Sequence, residues 1–153
     1  MEPSARLRAA MKMDLIRPFL SASQINAMAE GTRGSDGDFF LGKFLEIGSL
    51  IENMPVTYAQ GDAGDQTVMY LHYFFGDCHW YICEKDIEDG VSQATGYGVL
   101  HGDLECAEMG YISITELIAV GAQLDLHFVP ATLGAVKADL ERRYGAPTLS
   151  AGH

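Results

Sequence analysis

The sequence predicts one α+β domain: a mostly antiparallel sheet of about five strands, with short capped helices at the N-terminus, before the last strand and at the C-terminus. Three observations predict it. Two helix starts carry capping signals, Ser21 with Gln24 and Ser113 with Glu116. Between them, β-branched and aromatic runs are broken by Gly-Asp turns. The order is helices, then strands, then strand and helix, without internal repeats. A length of 153 residues fits a single domain. Within it we distinguish an N-terminal extension (1–18), an inserted helix and loop (33–66), an α+β body (67–145) and a frayed tail (146–153).

The first helix is expected over about 22–30. Ser21 is its N-cap, Leu20 and Ile25 form a hydrophobic staple, and Gly31 is a C′ stop. A second is expected over about 39–53, capped by Asp38 and stopped by Pro55. There Phe40, Phe44, Ile47, Ile51 and Met54 recur as one helical stripe. Ala59 to Gln66 reads as a loop. Thr67 to Phe75, apolar on both faces except His72, reads as a central strand. Gly76 to His79 is a turn, and Trp80 to Glu84 returns as a hairpin. Lys85 to Ser92 is an acidic loop. Thr95 to Leu100 and Met109 to Ile112 are the third and fourth strands. The second capping box starts a helix of about 114–120 that ends at Gly121. Leu124 to Val129 alternates as a fifth strand, closed by Pro130. A last helix follows Thr132 on the stripe Leu133, Val136, Leu140 and Tyr144. Arg142 and Arg143 lie in its final turn, and Gly145 ends it.

The net charge of −11 is concentrated in the middle of the chain. From Asp62 to Glu116 there are eleven acidic residues and one base, Lys85. Such a field repels nucleic acid and attracts basic surfaces or cations. A solvated acidic face that maintains solubility predicts the same composition. No apolar stretch reaches the ~20 residues of a membrane helix, and residues 1–13 do not read as a signal peptide. Cys78, Cys83 and Cys106 are an odd number without close pairing, which points to a reducing cytoplasm.

The run from Val68 to Leu133 resembles an uncharacterised bacterial family of small proteins, known only as a domain of unknown function. Its genes are common on plasmids, integrative elements and phages. The resemblance rests on the hairpin from Tyr70 to Glu84, the acidic turn Asp86-Ile87-Glu88-Asp89 and Gly96-Tyr97-Gly98. It continues through Glu108 to Leu117 and Leu124 to Pro130. The chain departs from the family in the added segment Arg33 to Gln66, and in lacking an arginine ahead of Asp125. The resemblance implies the fold and a mobile-element setting, with a host-defence or plasmid-maintenance partner. It transfers no catalytic residue.

Three functional readings follow. The first is a non-enzymatic protein-binding module that meets a basic, nucleic-acid-handling protein partner through Glu84, Asp86, Glu88, Asp89, Asp103 and Glu105, and does not bind nucleic acid directly. The second is a small enzyme or metal-dependent accessory protein using His127, Asp125 and a carboxylate from the turn between Glu105 and Glu108. Alternation on a half-exposed strand predicts the same letters without chemistry. The third is a homo-oligomer pairing through an uncovered sheet edge. His72, His79, His101, His127 and the cysteines match no zinc spacing, so no metal is predicted. His72, mid-strand, reads as a hydrogen-bonded histidine. Gly96-Tyr97-Gly98 lacks the third glycine of a phosphate loop, and no cofactor is predicted.

Overall fold

The computed structural model describes residues 4–61 and 63–145. The expected α+β class is observed. Five strands form one antiparallel sheet: β2 (Leu71–Phe75), β3 (Cys78–Asp86), β4 (Gly90–Val99), β5 (Glu108–Ile112) and β6 (Gln123–Leu124). Their order is β5-β4-β3-β2-β6. Two short strands, β1 (Val68–Met69) and β7 (Ala131–Thr132), pair separately. The helices are α1 (Ala5–Ile16), α2 (Ala22–Gly31), α3 (Gly37–Asn53), α4 (Ile114–Ala119) and α5 (Leu133–Tyr144). The tail from Ala146, read as frayed, lies outside the described residues.

Helix starts follow local chemistry. Ser4, Ser21, Ser113 and Thr132 each accept the backbone N–H of the residue three positions on, at 3.1–3.2 Å. Each bond satisfies one of the donors a helix start leaves unpaired. Three local expectations need correction. Gln24 does not reach back to its cap; its amide binds the backbone of Leu124 instead. Gly31 is the last residue of α2, with Thr32 as C-cap. Asp36, not Asp38, is the N-cap of α3, and Asp38 lies in its first turn.

The sheet buries an apolar core on each face. On one face Leu71, Tyr73, Ile82 and Ala94 pack against Ile16, Met28, Phe44, Ile51 and Ile114 from the helices. On the other, Met69, Tyr81, Cys83, Tyr97 and Val99 pack under Leu133, Val136 and Leu140 of α5. Helix α1, in the stretch read only as an extension, packs on α3 where Gly48 meets the Lys12 stem. A Cβ on Gly48 would stand 3.0 Å from that stem, so glycine permits the close approach.

The strand expected over 67–75 is split. The Gln60 side chain inserts where β1 leaves β3, bonding Val68 N, Val68 O and Cys83 O at 2.8–3.0 Å. The hairpin turn is only Gly76-Asp77, because Phe75 pairs with Cys78. Gly76 holds φ +58, the left-handed value a two-residue loop needs. Cys78 and His79 therefore belong to β3. The strand expected over 124–129 stops at Leu124: Asp125 N donates to His72 O at 2.8 Å, and the chain then turns.

Candidate functional site

The six expected binding carboxylates do not form one patch. Asp86 and Asp89 lie at the turn before β4, while Asp103 and Glu105 follow its end. Ten strand residues separate the groups, roughly 30 Å at the usual rise. Their roles differ too. Glu84 is 4% exposed and accepts the N–H groups of Tyr58 and Gln60, both at 2.8 Å. Asp86 accepts from Glu88 N and Gln93 N, and Asp89 from Val91 N and Ser92 N. The Ser92 hydroxyl, then the Ser92 and Val91 N–H groups, hold the Asp89 carboxyl down at about 2. Asp103 accepts from Glu105 N and Cys106 N. Glu88 and Glu105 are exposed and hold no side-chain partner among the described residues.

The acid–base trio does not converge. Asp125 and His127 stand in a turn rather than on one strand face, and only the His127 backbone N–H reaches Asp125 Oδ1, at 2.9 Å. Glu108 starts β5, at the opposite sheet edge from β6, roughly 19 Å away at four strand spacings. Asp125 pairs instead with His72, whose Nδ1 lies 2.9 Å from Oδ2. His72 Nε2 lies 2.9 Å from His79 Nδ1, and His79 Nε2 lies 2.7 Å from the Tyr144 hydroxyl. The carboxylate accepts only, which orders the chain of neutral donors. Tyr144 donates to His79, His79 to His72, and His72 to Asp125.

The fold builds this relay from the hairpin register. The pairs His72↔Tyr81 and Phe74↔His79 put both histidines on the face under α5. Tyr144, in the last turn of that helix, closes the end. His72 stacks on Tyr81 with ring centroids 4.4 Å apart. Burial holds the His72 imidazole below its usual range despite the pull of Asp125. Burial, then the neighbouring His72, pushes His79 down to about 4. Burial also raises the Tyr144 phenol, and pushes Tyr81 and Cys83 up to about 12. With His72 and His79 only 8% and 2% exposed, two neutral, buried imidazoles link the half-buried Asp125 carboxylate to Tyr144 at the end of α5. The hairpin spacing carried a signal for His72 beside His79; nothing local pointed to Tyr144.

Cys106 is exposed, and its hydrogen bond with Asp103 raises its thiol, opposite to what a nucleophile needs. Among the described residues, no three His, Cys, Asp or Glu side chains converge to hold a metal ion. None of the described helices is long and apolar enough to cross a membrane.

Two open features of the described surface set apolar side chains beside carboxylates. An open cleft of about 300 Å³ runs from Leu15 and Phe19 to Ile87 in the acidic turn. A groove of about 310 Å³ is lined by Trp80, Gly98, Leu100, Gly110 and Ile112 along β5. Fold and site together define an α+β domain with a five-stranded antiparallel sheet, a histidine pair under α5, and a stretch from 86 to 136, the acidic wing, that holds carboxylates but no lysine or arginine. No family model, curated protein or solved structure matches the chain.

Proposed function

We propose that this chain is a protein-binding module whose acidic wing meets a basic surface on a partner protein. One observation carries the reading. Residues 86–136, which run from the end of β3 through β4, β5, α4, β6 and β7 into α5, hold eight carboxylates and no lysine or arginine. Glu88, Glu105, Glu108 and Glu116 among them are exposed and hold no side-chain partner among the described residues. Unpaired charge of one sign steers a partner of the opposite sign and costs the complex little internal rearrangement.

A protein that handles nucleic acid is the partner class that matches, since it carries a basic face. Nucleic acid itself is repelled by the same wing. The resemblance to a family common on mobile elements supports a host-defence or plasmid-maintenance setting in the cytoplasm. The enzyme reading loses its support with the separation of Glu108 from Asp125.

Native mass spectrometry of the protein recovered from its own cell, without chelator, tests the proposal. Excess mass matching a second, basic protein is expected. A bare chain, or one carrying only a metal ion or small molecule, contradicts it.

A further inference from the structure

The two edges of the main sheet are treated differently. At β6 the outer edge is filled: Gln24 Nε2 donates to Leu124 O at 2.8 Å, and Leu124 N donates to Gln24 Oε1 at 3.0 Å. That side-chain amide stands where a neighbouring strand would bond. At β5 the outer edge is bare. The strand pairs with β4 alone, and among the described residues no backbone hydrogen bond leaves its other side. An unpaired row of N–H and C=O groups is a template for another strand. Proteins usually blunt such an edge with lysine, proline, a bulge or an inward charge. Strand β5 reads Glu108-Met109-Gly110-Tyr111-Ile112 and keeps unbroken register with β4 over five pairs. Only Glu108, at its first position, is charged.

Beside this edge lies the apolar groove of about 310 Å³. Gly98 on β4 and Gly110 on β5 put no side chain on its floor, while Ile112 Cδ1 covers Gly96. A Cβ built on Gly110 meets nothing within 4 Å, so the space above it is open. One at Gly98 would stand 3.3 Å from Trp80 Cδ1, so the indole forms a wall beside the opening. A strand laid along β5 would drop one side chain onto Gly110, against Trp80 and Leu100. Glycine within a strand is a usual mark of such close approach.

Charge selects the occupant. Asp103, Glu105, Glu108 and Glu116 lie before, in and after β5. The flanking bases in sequence are committed elsewhere, Lys85 Nζ to Ile51 O and Lys137 Nζ to Asp65. A second copy pairing antiparallel about Gly110 would set each Glu108 opposite an Ile112, with no base to meet it, and would bring two acidic edges together. Net charge of one sign on both copies disfavours that pairing.

Resting on the binding-module reading, we infer that β5 is the docking edge, extended by a basic segment of the partner that adds as an antiparallel strand. Lysine or arginine on that segment faces Glu108, and an aromatic or branched apolar residue covers Gly110. Main-chain hydrogen bonds give the attachment, and the groove gives the specificity.

The test uses the full chain and an acetylated, amidated probe peptide, Lys-Val-Thr-Phe-Thr-Lys-Lys, titrated to about 1 mM, which half-saturates even a millimolar complex. Amide NMR shifts are expected at Met109 to Ile112 and at the Trp80 indole N–H, with slowed exchange of β5 amides. The Gly110→Leu variant fills the groove from below and has room to fold; it weakens the peptide by about tenfold or more. Glu108→Lys weakens it about three- to tenfold, and less at high salt. Shifts confined to the 86–89 turn overturn the edge while leaving the basic-partner reading intact. No shifts at all, or equal binding by Gly110→Leu, overturn strand addition outright. Shifts at β5 that grow with protein concentration and need no peptide make a second copy the occupant, and also overturn it.

Discussion

His72 Nε2 and His79 Nδ1 face each other at 2.9 Å, with Asp125 beyond one ring and Tyr144 beyond the other. A proton added to His72 Nε2 turns that donor–acceptor contact into two opposed donors. The contact between the two rings therefore requires His72 Nε2 to stay unprotonated.

Acid sensitivity follows. Both imidazoles are lowered in the folded chain, His79 to about 4, with Asp77, Asp125 and Arg143 also acting on it. The unfolded chain titrates near 6.5, so between these values it binds more protons than the folded one. Stability is full above the unfolded value and falls as pH drops toward 4, by on the order of 2–3 kcal/mol. Urea unfolding at about pH 7.5, 5.5 and 4.5 reads this directly. His79→Gln flattens the dependence relative to the parent; an equally steep profile in that variant would refute the assignment.

Glu84 is a strut. Its two oxygens hold Tyr58 and Gln60 by their N–H groups, and Tyr58 sits at φ +71, a strained value for a non-glycine residue. Glu84→Ala is expected to cost about 2–4 kcal/mol, as two donors lose a charged acceptor. Glu84→Gln costs less, since one acceptor oxygen remains. The urea midpoint separates the two.

Two strand glycines diverge. A Cβ on Gly96 would stand 2.1 Å from Tyr81 O, whereas one on Gly110 meets nothing. Gly96→Ala is expected to lose about 2–3 kcal/mol. Gly110→Ala holds or gains about 0.5 kcal/mol through the unfolded chain. Thermal melts of both variants decide it.

Thr95 Oγ1 is buried without a hydrogen-bond partner among the described residues. Replacing the hydroxyl by a methyl in Thr95→Val removes an unsatisfied group, for a gain of about 0.5–1 kcal/mol. Loss of stability in calorimetry would mean that the hydroxyl has a partner after all.

The class of fold was legible because its signals are local. Ser21, Ser113 and Thr132 cap where the spacing predicts, and Gly121 ends α4 at φ +103. Helix α1 escaped because, among its described side chains, just Ala9 and Ile16 are buried, too few to draw a stripe. The errors at 67–75 and 124–129 share a cause. Side chains distant in sequence, Gln60 at β1 and Gln24 at β6, take the place of strand neighbours there. Alternation describes one strand and carries no record of such substitutes. The relay failed to register for the same reason: the Asp125 partner is fifty-three residues away, not two. The acidic wing was visible as composition. Its division by β4, and the absorption of Glu84, Asp86 and Asp89 into backbone bonds, needed the fold.

The central claim concerns unpaired charge, so the decisive variant reverses only carboxylates that hold no backbone group: Glu88→Lys, Glu105→Lys and Glu108→Lys together. The measurement is the affinity for the protein recovered with the parent chain, at about 50 mM and about 500 mM salt. The account predicts at least about a tenfold loss on raising the salt, and a comparable loss on reversal at the lower salt. An affinity unchanged by both, in a variant with the parent's stability, would contradict it.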